Sequence, residues 1–81
     1  MMEVVVNGET RGLPEGMTVS GLLELLAIAP ERVVVELNLA ILKRAQGPVT
    51  VLKSGDRVEI VQFVGGGAKG DSTEKSLQLL K

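Results

Sequence analysis

A chain of 81 residues with a formal net charge of -1, no cysteine, no histidine and one aromatic residue, Phe63, has few routes to chemistry of its own. Lack of cysteine excludes disulfides, thiol nucleophiles and thiolate metal sites, and lack of histidine removes the commonest neutral-pH base and metal ligand. The near-neutral charge and the absence of interleaved aromatics argue against nucleic acid as a partner.

Hydrophobic residues make up 44% of the chain, enough for the single small core that this length allows. The acidic side chains are scattered and read as solvated surface, so no metal site or catalytic carboxylate pair is expected. Met1-Met2-Glu3 lacks the basic and apolar regions of a signal peptide, and no run of 18 apolar residues occurs. The expectation is a cytoplasmic protein, monomeric when free, with no membrane partner.

Met2 to Val6 reads as a short strand, and Asn7-Gly8 as a hairpin turn, because both central positions of a type I′ turn need positive φ. Glu9 to Leu13 is a weak returning strand that ends at Pro14-Glu15-Gly16. Thr18 then caps a helix whose apolar positions Val19, Leu22, Leu23 and Leu26 follow the i, i+3, i+4, i+7 spacing. The helix fades before Pro30, since the residue preceding a proline is pushed away from the helical region.

Arg32 to Asn38 alternates as a strand, with Val33, Val35 and Leu37 on one face and Val34, Glu36 and Asn38 on the other. A turn near Asn38 leads to a short run, Ala40 to Leu42, and Lys43-Arg44 is a solvated loop. Gly47-Pro48 breaks the chain, Val49 to Leu52 reads as another short strand, and Ser54-Gly55-Asp56 turns it into the last one.

That last strand, from Val58 to Val64, runs straight into Gly65-Gly66-Gly67. If it pairs beside the first strand, its glycine end leaves from the middle of the sheet. Arg57 and Glu59 should face water, which puts Val58 and Ile60 against the helix and Val61 and Phe63 on the outer face with Val5 and Val34. An apolar patch on the open side of a sheet beside a glycine segment points to protein docking, and the expected partner-binding set is Val5, Val34, Val61, Phe63, Val64 and Gly65. A β-bulge near Val61 is the alternative, and it would bury Phe63.

Gly65, Gly67 and Gly70 satisfy G-x-G-x-x-G, but a dinucleotide site also needs a following helix, a second strand and an acidic residue about 20 positions on. Too little chain follows Gly70 for that unit. Lys69 is not in a Walker pattern, so the glycines are not read as a phosphate cradle.

The order of elements, Gly16-Met17-Thr18-Val19 opening a leucine-rich helix, Val35-Glu36-Leu37-Asn38, and above all the run from Gly55-Asp56-Arg57 through Val64 to Gly67 resemble the ThiS family, the ubiquitin-like sulfur carriers of thiamine thiazole biosynthesis. The resemblance covers residues 2 to 67. It implies an α+β, β-grasp fold in which a mixed sheet of four to five strands packs on one main helix. It also implies a substrate-like protein, not an enzyme, that needs no cofactor of its own.

In that family an E1-like enzyme uses ATP to adenylate the last glycine, a cysteine-derived sulfur delivery system converts it to a thiocarboxylate, and thiazole synthase consumes the sulfur. By resemblance, Gly67 carries the reacting carboxyl group with Gly66 adjacent. Molybdopterin-type carriers share the general form, and a β-grasp binding module without carrier chemistry is a further alternative.

Two departures stand out. Leu39 occupies a position where the family often has glycine after the asparagine, and Ala68 to Lys81 continue past Gly67, making its carboxyl group a peptide carbonyl. The expected organisation is a carrier domain over 1-67 and a flexible extension over 68-81, removed before activation. Asp71 or Ser72 could cap a brief helix there, with Leu77 and Leu80 three apart, too short to be stable alone; the alternative is that Leu77, Leu79 and Leu80 cover the apolar sheet face.

Overall fold

A computed structural model describes residues 1–63 and 77–79, with Phe63 and the last three residues described through their backbone. Strands β1 (Met2–Val6) and β2 (Glu9–Leu13) precede helix α1 (Val19–Leu25). Strands β3 (Val33–Leu37), β4 (Ala40–Leu42), β5 (Arg57–Phe63) and β6 (Leu77–Leu79) follow, with 3-10 turns at Pro30–Arg32 and Arg44–Val49.

The main sheet runs β2-β1-β5-β3-β4, with β6 added on β5. β1 and β5 are parallel, and the other pairs are antiparallel, so the last long strand lies between the first and third. Packing α1 across this mixed sheet gives the β-grasp arrangement that the resemblance implied.

Asn7 and Gly8 take φ of 49° and 84°, the left-handed pair that the β1–β2 turn requires. The Thr18 hydroxyl accepts from Gly21 N at 3.0 Å and caps α1. At the other end, Ala27 at φ 60° lets Ile28 N reach Leu23 O and Ala27 N reach Glu24 O, a Schellman-type closure that stops the helix ahead of Pro30.

The apolar stripe of α1, through Val19, Leu22 and Leu23, meets Met2, Val4 and Val6 of β1, Val33 and Val35 of β3, and Val58 and Ile60 of β5 in one core. Each fully buried valine or leucine there contributes about 1.5–3 kcal/mol relative to exposure, so the period-two phase of β5 is fixed by what it buries.

Two expectations are corrected. Val49 to Leu52 is not a strand: residues Arg44–Val49 form a 3-10 turn around Pro48, and only a bridge between Thr18 and Val51 remains. It is held by Val19 N to Thr50 O and Leu52 N to Met17 O. This brings Gly47 so close to Ser20 that an added Cβ would lie 2.7 Å from its Oγ. Second, Leu77–Leu79 form strand β6 and not part of a brief helix, because β1 leaves part of the β5 edge open. The proposed boundary at 67/68 lies outside the described residues.

Candidate functional site

β5 is the strand that delivers the chain to Gly65-Gly66-Gly67, and its start is held by polar contacts gathered around one buried carboxylate. Gly55, at φ 90°, turns the chain so that Asp56, only 7% exposed, points inward. Asp56 Oδ2 accepts from Lys53 N at 2.8 Å, and Oδ1 accepts from Asn38 Nδ2 at 3.1 Å. Asn38 Oδ1 in turn accepts from Arg57 N at 2.9 Å, and Asn38 N donates to Arg57 O at 2.8 Å. The turn before β5 and the turn after β3 are thus one hydrogen-bonded unit.

The β1 side is anchored separately. Val5 N donates to Asp56 O and Asn7 N to Val58 O, each at 2.9 Å. As the chain turns away at Gly8, the Asn7 side chain supplies the next rung, accepting from Ile60 N at 2.7 Å and donating to Ile60 O at 3.3 Å. With β3 paired along the other edge as far as Gln62, β5 is held on both sides just ahead of the glycines.

The face opposite α1 carries the expected apolar residues. The β3–β5 register runs unbroken from Leu37↔Val58 to Val33↔Gln62, so there is no bulge near Val61. Val5, Val34 and Val61 lie on the open face and are half-buried, while Val58 and Ile60 are buried beneath it. The backbone of Phe63 continues this phase. Its side chain, and Val64, Gly65, Gly66 and Gly67, lie outside the described residues.

The structure adds residues that sequence reasoning missed. Ile41, 70% exposed, stands opposite Glu36 in the β3–β4 register and therefore shares the open face. The signal was the two-residue turn at Asn38-Leu39, which fixes that pairing. Glu36 also faces Glu59 across β3–β5, a like-charge pair that costs stability. The open face is therefore an apolar band interrupted by charged groups of both signs, Glu36 and Glu59 with Arg57 beside Val5. Among the described residues no cluster of acidic side chains could hold a metal ion, and no helix is long and apolar enough to cross a membrane.

A model of the ThiS family matches residues 4–67. A thiazole synthase of Magnetococcus marinus is 42% identical over 66 residues, covering 82% of this chain and 20% of that protein. One from Paramagnetospirillum magneticum is 40% identical over 67 residues, covering 83% of this chain and 21% of that protein. The chain thus spans about a fifth of the length of these relatives. The crystal structure of the thiamine biosynthesis protein ThiS from Geobacter metallireducens superposes with a TM-score of 0.71 at 40% identity, covering 82% of this chain and 100% of that one.

Proposed function

The chain belongs to the ThiS family, and we propose that it acts as a sulfur carrier for thiazole formation in thiamine biosynthesis, loaded at the carboxyl group of Gly67. The observation that carries this reading is the coincidence of two ends. The family match stops at residue 67, three glycines beyond a strand pinned on both edges. A rigid strand followed by residues without side chains is suited to presenting a chain terminus inside another protein's active site.

The chemistry asks little of the carrier. Once Gly67 is terminal, its carboxylate attacks the α-phosphorus of ATP held by an E1-like enzyme, and pyrophosphate leaves. A sulfur nucleophile from a cysteine-derived delivery system then attacks the activated acyl carbon, and AMP leaves. Glycine keeps that carbon sterically open, and the nucleotide belongs to the partner. The carrier contributes binding and orientation, through Val5, Val34, Val61, Phe63, Val64 and Gly65, and is not itself an enzyme.

Thiazole synthase is the proposed consumer of the sulfur. Support comes from relatives named thiazole synthase, in which the stretch matching this chain is part of a longer polypeptide. The residues after Gly67 require scission before loading. Incubating the form that ends at Gly67 with an activating enzyme, ATP and a sulfur source should produce the mass change of one oxygen replaced by sulfur. No change would oppose carrier chemistry.

One observation favours a second reading. Leu77–Leu79 return to pair with β5, which suits a β-grasp binding module that keeps its extension and performs no sulfur chemistry. Such a module would bind partners through the open face as an intact chain and would never be adenylated.

A further inference from the structure

The β5 edge shared by β1 and β6 shows a regular succession of backbone groups. Asp56 O accepts from Val5 N, Val58 O accepts from Asn7 N, and Ile60 exchanges both of its backbone groups with the Asn7 side chain. Every second residue points its peptide groups this way, so Gln62 is next in line. β1 cannot serve it, because the chain has turned away at Asn7-Gly8. The register partner of Gln62 is Gln78, flanked by Val61↔Leu79 and Phe63↔Leu77.

We propose that the β5 edge over Val61–Phe63 is an acceptor site for one extended strand, and that Leu77–Leu79 are its built-in, displaceable occupant. An unpaired edge at this point would be a template for pairing with other chains, and β6 covers it in cis. The cover is weak by construction. It consists of a three-residue strand and must close the connection formed by residues 64–76. Such a unit opens locally long before the domain unfolds.

For the carrier reading, on which this consequence alone rests, β6 is autoinhibitory. While it is docked, Gly65, Gly66 and Gly67 belong to a connection whose two ends are held on the same strand. Scission after Gly67 makes β6 a separate peptide, which loses the high effective concentration of the tether and leaves.

The test uses the full chain and does not involve activation, so it can fail independently of the carrier reading. Gln78→Pro removes the N–H opposite Gln62. Amide exchange at Gln62 should become about tenfold faster, the scale of one or two net hydrogen bonds, while Val61, whose peptide groups face β3, should be unchanged. A matching measurement uses the absence of native cysteine. The double variant Gln62→Cys/Gln78→Cys should form an intramolecular disulfide under mild oxidation, since a directly opposed hydrogen-bonded pair places Cα atoms at about 5.5 Å. Gln62→Cys/Ser54→Cys, whose second site lies before the start of β5, should oxidise more slowly. Equal Gln62 exchange in both forms, or equal oxidation of the two cysteine pairs, would overturn the proposal.

Discussion

Asn7 stands in for a residue of β1 that does not exist: its carboxamide oxygen accepts from Ile60 N at 2.7 Å and its nitrogen donates to Ile60 O at 3.3 Å. Its φ of 49° also favours asparagine over most residues. Asn7→Ala should therefore destabilise the domain by about 2–3 kcal/mol in urea unfolding, combining the unmet Ile60 groups with left-handed strain. Asn7→Gly relieves the strain and keeps the hydrogen-bond loss, so it should fall between the two. Equal stability of Asn7→Ala and the parent would show that the rung carries no weight.

Asp56 receives two donors, from Lys53 N and Asn38 Nδ2. Asp56→Asn would turn one acceptor into a donor facing a donor in a buried place, and should cost about 1–3 kcal/mol. The β5 amides nearest the turn should lose exchange protection first.

Leu39 is 84% exposed and sits at φ 73°, a conformation strained for leucine. Leu39→Gly should raise stability by about 0.5–1 kcal/mol, read as a higher Tm, because relief of left-handed strain exceeds the entropy lost by glycine.

Glu36 and Glu59 oppose each other on the open face. Glu36→Arg replaces repulsion with attraction and should stabilise the fold by about 0.2–1 kcal/mol, yet weaken complex formation with the activating enzyme, measured by calorimetry. A variant that gained stability and bound as tightly as before would place the docking surface elsewhere.

Much of this was legible in local pattern. Val19, Leu22 and Leu23 announced the helix, and Arg57 to Ile60 fixed the phase of β5, because both signals depend only on near neighbours in the chain. The misread stretch, Val49 to Leu52, is short, apolar and β-branched, a composition that does not distinguish a strand from an irregular segment bridged at Val51. The Asn7–Ile60 rung and the Asp56–Asn38 contact join residues far apart in sequence, and periodicity carries no trace of them. Leu77 and Leu80 have the spacing of a helix turn but Leu77 and Leu79 that of a strand, and which one forms depends on where β1 ends along β5.

The carrier account stands or falls on which carboxyl group is activated. The most direct measurement is ATP–pyrophosphate exchange catalysed by the cognate activating enzyme, run on the chain ending at Gly67, on the same chain with Gly67→Val, and on the full 81-residue chain. The account predicts exchange with the first, a rate about 10²-fold lower with the second because the reacting carbon is misplaced, and none with the third. Exchange that proceeds through the intact 81-residue chain would contradict it, as would equal rates for glycine and valine at position 67.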